Sequence, residues 1–340
     1  MHIIATQARQ NARTTLSGAQ IGHYAAASIS KAVNKASSGP RMQNWTDIHY
    51  TSRDGLRLHA RHYPCPGSER RPLVCLAGLS RNSRDFHDLA SALSLNPDAG
   101  RDVYAIDYRG RGRSQADPDW KNYTVLTELN YVLDFMALRG LHGAAIIGTS
   151  RGGLIAMLMG VLRPTAMGAV IFNDIGPVME RDGLSRIVAY LGRLPIPNDW
   201  AEATRMVHGM LHRGFTAVPD EQWESIARQL FNDEHGLPAP CYDPNLAKAI
   251  SLLDAPPPDL WPQFVSLAHL PTLVLRGANS DILSVATLEE MRRRHPRLEA
   301  VTVRGQGHAP FLKDPPSITT IGEFLARTDA PASALMQLSA

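Results

Sequence analysis

Five residues, Gly148-Thr149-Ser150-Arg151-Gly152, carry the pattern that points most sharply to chemistry. A serine hydroxyl is a weak nucleophile until a base removes its proton. Glycines two positions to either side allow a sharp, strained turn that pushes the hydroxyl into solvent; larger side chains there would strike the neighbouring strand and helix. The run before it, Ala144-Ala145-Ile146-Ile147, reads as a buried strand. Leu154, Met157, Leu158 and Val161 then recur at helical spacing. The start of that helix would offer free N–H groups and a favourable dipole to a developing anion. A plain small-residue turn is the bland alternative, and the strand–turn–helix context with its downstream partners favours a nucleophile.

The base must come from 13 histidines. His308 stands out in Gly305-Gln306-Gly307-His308-Ala309-Pro310, directly after the apolar run that ends at Val303. Loops at the carboxyl ends of parallel strands are where sites of open α/β sheets collect. His59 and His62 fall on a strand, His87 near a helix start, and His208, His212 and His235 in the stretch expected below to be a lid. An imidazole base needs a carboxylate to fix its tautomer and stabilise its charged form. Asp281, in Arg276-Gly277-Ala278-Asn279-Ser280-Asp281, is the preferred candidate. Asp174, after Asn173, is the competitor and is expected instead to fix a loop. Acyl transfer also builds charge on a carbonyl oxygen, which two N–H donors must hold. Arg151 N–H is one candidate. Leu79 N–H, in Ala77-Gly78-Leu79-Ser80, is the other. Arg81, Asn82 and Arg84 follow and are expected to border the pocket or to be solvated.

The elements that must position these residues follow from periodicity. Thr46 to Ser52 and Leu56 to Tyr63 alternate like strands around Asp54-Gly55, a hairpin dipeptide. Leu73 to Leu76, Val103 to Ile106, Ala144 to Ile147, Ala169 to Phe172, Thr272 to Leu275 and Ala300 to Val303 are continuously apolar. Such runs suit strands buried on both faces of a parallel sheet. Helical patterns lie between them, among them Leu126 to Met136, Leu288 with Met291, and Ile321 with Phe324 and Leu325. The alternation predicts an α/β, doubly wound, mostly parallel sheet. It breaks over residues 176–265, where helical patches and prolines occur with no strand run between them. That stretch is expected to be a helical lid inserted into a core formed by residues 42–175 and 266–330.

Bulk properties narrow the classes. The chain has 340 residues, is 44% hydrophobic and 20% charged, and carries a net charge of +3. Its basic residues are scattered, which argues against nucleic-acid binding. Three cysteines, Cys65, Cys75 and Cys241, have neither disulfide nor zinc spacing and fit a reducing cytosol. No apolar stretch approaches the roughly 20 residues of a membrane span. Residues 1–41 have several Arg and Lys, many Ala and Ser, and no Asp or Glu. They are read as a disordered leader or the product of an upstream start, with transit-peptide composition as the alternative.

With these motifs assembled, the chain from about Thr46 to Ala326 resembles the α/β-hydrolase superfamily, particularly its lidded, esterase-like members. The resemblance rests on Gly78, on Asp107-Tyr108-Arg109-Gly110-Arg111-Gly112-Arg113-Ser114, on the Ser150 turn, on Arg276-Gly277 with Asp281, and on Gly307-His308. The order Ser150, Asp281, His308 matches the family order of nucleophile, acid and base. The resemblance implies hydrolysis of a carboxylic ester or lactone of a small molecule through an acyl-Ser150 intermediate, with no metal and no organic cofactor. Trp200, Phe215, Trp223, Phe231 and Trp261 suit a substrate with an apolar acyl or ring portion, and equally a lid core. The same triad would serve a C–C bond hydrolase, a peptidase or a cofactor-free haloperoxidase, and the scaffold could hold a non-catalytic ligand receptor. Two departures stand out. Ala77 replaces a histidine that braces this loop in many members, and Arg151 replaces a small or apolar residue. Arg151 is expected to pair with a carboxylate, Asp174 being the candidate. Nothing in the sequence specifies the oligomeric state.

Overall fold

Asp54-Gly55 closes a hairpin, with Gly55 at φ +88°, between antiparallel strands β1 (Thr46–Thr51) and β2 (Arg57–Tyr63). This is a computed structural model, which describes residues 43–251 and 259–329. The expected leader at 1–41 and Pro256-Pro257-Pro258 lie outside the described residues.

Each continuously apolar run in the first half is a strand. These are β3 (Leu73–Leu76), β4 (Val103–Asp107), β5 (Ala144–Thr149) and β6 (Met167–Asn173). Helices α1 (His87–Ser94), α2 (Val125–Leu138) and α3 (Arg151–Leu162) connect them. The segment after β6 contains α4 (Arg181–Tyr190), α5 (Trp200–Leu211) and α6 (Trp223–Leu230). A small antiparallel hairpin follows, β7 (Phe231–Glu234) with β8 (Leu237–Pro240), and then α7 (Leu246–Ser251) and α8 (Trp261–Val265). Alternation resumes with β9 (Thr272–Gly277), α9 (Val285–Arg294), β10 (Leu298–Val303) and α10 (Pro315–Asp329).

The hairpin corrects the expectation that this inserted stretch holds no strand. Its sequence gives no apolar alternation, and Pro238 and Pro240 lie on a strand that pairs, among the described residues, with β7 alone, where missing N–H groups are tolerated.

The main sheet is eight-stranded, in the order β1-β2-β4-β3-β5-β6-β9-β10. All pairs from β4 to β10 are parallel, while β1 and β2 add an antiparallel edge. The chain steps outward from β3 to β4, then returns to the other side of β3 as β5. That reversal is the switch point at which open α/β sheets form their crevice. Pairing of Leu76 with Gly148 brings the ends of β3 and β5 side by side there. One large apolar core covers both faces of the sheet, and Cys75 is buried within it. A separate small core inside the inserted segment joins Ala203, Val207, Phe215, Trp223, Ile226, Ala227 and Phe231.

Candidate active site

Ser150 is forced into view by its neighbours. Its backbone takes φ +49° and ψ −111°, a conformation that non-glycine residues rarely adopt. The flanking glycines make this possible by close approach. A Cβ on Gly152 would stand 2.2 Å from the Leu76 carbonyl oxygen, and one on Gly148 2.5 Å from the Gly152 carbonyl carbon.

His308 reaches this serine from the loop after β10. Its Nε2 lies 3.0 Å from Ser150 Oγ, and its Nδ1 lies 2.8 Å from Asp174 Oδ2. A carboxylate oxygen only accepts, so Nδ1 carries a proton, and in the neutral form of the ring the Nε2 lone pair faces the serine hydroxyl. The loop that holds His308 is itself braced. Gln306 Oε1 accepts from Phe311 N–H at 2.8 Å, and Gln306 Nε2 donates to Asp314 at 3.1 Å.

Asp174, not Asp281, therefore meets the imidazole. Asp174 is fully buried and sits at φ +57°, immediately past β6, the strand beside β5. Its Oδ1 accepts from Gly277 N–H at 2.8 Å and its Oδ2 from Ser280 Oγ at 2.6 Å. It thus fixes the loop after β9, as expected of it, and holds His308 as well. Asp281 lies on that same loop but beyond the turn, and faces outward. Its carboxylate accepts from Arg186 Nε at 2.6 Å and Nη2 at 2.9 Å, and its side chain keeps 37% of its exposure. Burial pushes the Asp281 carboxyl up, but the Arg186 guanidinium outweighs this and holds it below the usual range. Ser280 is the residue of this loop that turns inward.

Arg151 also departs from expectation. Its partner is Glu128 on α2, at 2.5 Å from Nε, rather than Asp174. Arg151 is the first residue of α3, so its N–H has no partner one turn back in the helix. Across the crevice, Gly78 lies close enough that a Cβ there would be 3.9 Å from Ser150 Cβ. Leu79 N–H has no backbone partner among the described residues.

A cavity of about 280 Å³ opens onto Ser150 and His308. Leu79 and Phe311 line it from the core, and Ile187, Met206, Leu211 and Phe215 from the inserted segment. Arg81 and Asp85 form a charged pair on its wall, with Nε and Nη2 each 2.7 Å from a carboxylate oxygen. Arg84 and Asn82 instead fasten the inserted segment, donating to the Phe231 carbonyl at 3.1 Å and the Gln229 carbonyl at 3.0 Å. Of the five aromatics singled out, Phe215 and Phe231 belong to both the small core and the cavity wall. Trp223 is buried in the small core, Trp200 packs against it, and Trp261 packs against the main core.

Sequence reasoning passed over Asn173, Ser280 and Glu128. Asn173 Nδ2 donates to Thr149 Oγ1 and to the Pro310 carbonyl, both at 3.0 Å, which ties the serine turn to the histidine loop. Asn173 and Ser280 each neighbour a residue that was singled out, and their own signal was only that adjacency. Glu128 had none, because it reads as an ordinary first-turn acid on a helix. Among the described residues, no group of three or more His, Cys, Asp or Glu could hold a metal ion. No helix among them is long and apolar enough to cross a membrane.

Comparison with known proteins gives this geometry a context. A model of the family described as alpha/beta hydrolase fold matches residues 71–315. A 3-hydroxybutyrate-oligomer hydrolase of Cupriavidus necator is 32% identical over 282 residues, spanning 79% of this chain and 93% of the relative. An sn-1-specific diacylglycerol lipase, ABHD11 of Mus musculus, is 27% identical over 243 residues, spanning 69% and 74%. The crystal structure of an alpha/beta hydrolase from Novosphingobium aromaticivorans is 37% identical and superposes with a TM-score of 0.78, covering 84% of this chain and 99% of its own.

Proposed function

The chain belongs to the α/β-hydrolase fold family, and from that premise we propose that it is a serine hydrolase of small carboxylic esters or lactones. One observation carries the reading: a single imidazole spans a strained serine and a buried carboxylate, at 3.0 and 2.8 Å. His308 takes the Ser150 proton as the hydroxyl attacks the acyl carbon. Asp174 holds the ring in the tautomer that accepts it and stabilises the imidazolium. Leu79 N–H and Arg151 N–H receive the oxyanion. The tetrahedral intermediate collapses to acyl-Ser150 as His308 protonates the leaving alkoxide. Water, deprotonated by the same imidazole, then releases the acid.

The substrate's acyl part occupies the apolar cavity, and residues 176–265 act as the lid that forms one of its walls. Family membership supports hydrolysis, and the Cupriavidus necator relative, named for oligomers of 3-hydroxybutyrate, supports a short hydroxy-acid ester. The Arg81–Asp85 pair gives the cavity wall one polar feature for such a substrate.

Ser150→Ala is expected to abolish turnover of p-nitrophenyl butyrate, read as release of p-nitrophenol. Turnover equal to that of the parent overturns the assignment. A panel of esters, lactones, thioesters and amides then distinguishes ester cleavage from the peptidase reading, which requires amide turnover.

A further inference from the structure

Ala77 and Arg151 are the two positions at which this chain departs from the family it resembles, and both meet one buried network. Glu128 on α2 is fully buried. Its Oε2 lies 2.5 Å from Arg151 Nε, and its Oε1 2.8 Å from Arg111 Nη2. The second contact is an ion pair rather than an aligned hydrogen bond. Arg111 is itself buried, in the turn after β4. Its Nε donates to the Leu79 carbonyl at 2.9 Å and its Nη1 to the Arg109 carbonyl at 2.8 Å. Arg151 Nη2 donates to the Tyr123 carbonyl at 3.0 Å. Burial pushes the Arg111 guanidinium below its ordinary range, and Glu128 is the largest influence opposing that shift.

The tethers converge on one peptide. Tyr108 Oη donates to the Ala77 carbonyl at 3.2 Å. Arg111 holds the Leu79 carbonyl, and Arg81 N–H donates to the Gly78 carbonyl at 3.2 Å. The Gly78–Leu79 peptide, whose N–H is the first oxyanion donor, is therefore clamped on both sides. From Arg111 the chain of contacts runs through one carboxylate to Arg151, whose N–H is the second donor. Alanine at position 77 offers no polar side chain to brace the loop. Two guanidiniums sharing a fully buried carboxylate supply that brace from outside.

We propose that Glu128 is a positioning residue for the reaction, bridging Arg111 and Arg151 so that the two halves of the oxyanion hole keep their separation. The proposal rests on the reading of Ser150 as nucleophile. Preorganised donors act on the transition state and hardly on the ground state. Loosening the bridge should therefore lower kcat and leave KM nearly unchanged.

The test compares the full chain with its Glu128→Gln variant, which keeps the shape and removes the charge that holds both arginines. The expected result with p-nitrophenyl butyrate is a fall in kcat of about ten- to a hundredfold, since losing one donor outright costs about 10²–10³. Affinity for an alkyl trifluoromethyl ketone, whose hemiketal oxygen mimics the oxyanion, should fall by the same factor. The midpoint of the pH profile of kcat/KM should stay in place, because the histidine and its carboxylate are untouched. Glu128→Asp should recover part of the rate.

Arg151→Met cuts the bridge at its less deeply buried end, where the Arg151 side chain keeps 11% of its exposure against none for Glu128, and leaves Glu128 paired with Arg111, so it tests the same link if Glu128→Gln does not fold. Parental kcat and ketone affinity in the folded variants overturn the bridge while leaving the nucleophile assignment standing. A shifted pH midpoint also overturns it, because the damage would then lie at the histidine. Undiminished turnover in Ser150→Ala overturns the reading beneath it.

Discussion

Two loops leave the carboxyl ends of adjacent parallel strands, and each carries an aspartate that sequence order allows to serve His308. After β6, Asp174 is fully buried and accepts from Gly277 N–H, Ser280 Oγ and the imidazole Nδ1. After β9, Asp281 is partly exposed and spends both oxygens on Arg186 of α4. Around it, a Cβ on Gly183 would stand 2.2 Å from the Asp281 carbonyl oxygen, and Glu180 N–H donates to the Ile282 carbonyl at 3.0 Å. One aspartate is built into the site, and the other fastens the inserted helices to the core. A carboxylate's role follows from which donors surround it, and an aspartate that is merely near the site can have its capacity used up elsewhere.

The sharpest way to break that comparison is to neutralise each aspartate in turn. Asp174→Asn should lower kcat by about 10⁴-fold, because an amide no longer enforces the tautomer in which Nε2 accepts the serine proton. Asp281→Asn should leave kcat close to the parent. Steady-state kinetics on the same ester decides. Equal losses, or the larger loss in Asp281→Asn, would reverse the two roles.

A smaller effect sharpens the comparison from within the Asp174 cluster. Ser280→Ala removes the short hydroxyl bond to Asp174 Oδ2 and keeps the aspartate. A hydrogen bond to a charged group contributes about 1.5–3 kcal/mol. Only part of that reaches the transition state through His308, so kcat should fall about tenfold with KM unchanged. Ser280 Oγ also accepts from Ile282 and Leu283 N–H, so thermal unfolding should shift downward as well. A stability loss with parental kcat would make Ser280 a loop residue only.

The sheet, the serine turn and the histidine loop were legible because each rests on local pattern. Apolar runs mark strands buried on both faces, except Ala300 to Val303, which lies on the edge strand β10 with Val301 and Thr302 exposed. Gly148 and Gly152 mark close approach, and a histidine after the last strand marks a carboxyl-end loop. Which carboxylate meets His308 was not legible in the same way. Asp174 and Asp281 both follow strand ends, and only the lateral order of β5, β6 and β9, together with the outward turn after Ser280, separates them. The partner of Arg151 was hidden for a similar reason. Glu128 is distant in sequence, on a helix where an acidic first turn needs no further explanation. The β7–β8 hairpin was hidden by prolines, which normally argue against a strand.

The least effect belongs to Asp281, and it is one of stability and pH rather than rate. Its folded carboxyl is held below the ordinary value of 3.8 by Arg186. A lowered carboxylate stabilises the fold above the unfolded value and loses that contribution as pH falls through the folded one. The pair is partly exposed, so solvent screening limits its worth to about 0.2–1 kcal/mol. Urea unfolding of the parent and of Asp281→Asn should therefore differ by that small amount at pH 7 and should converge as pH is taken below about 4. If α4 is fastened chiefly by this pair, limited proteolysis near Arg186 should also accelerate in the variant at pH 7, while turnover of a small ester stays unchanged. A variant that is as stable and protease-resistant as the parent at pH 7 would assign the fastening to the backbone contacts at Gly183 and Glu180 instead.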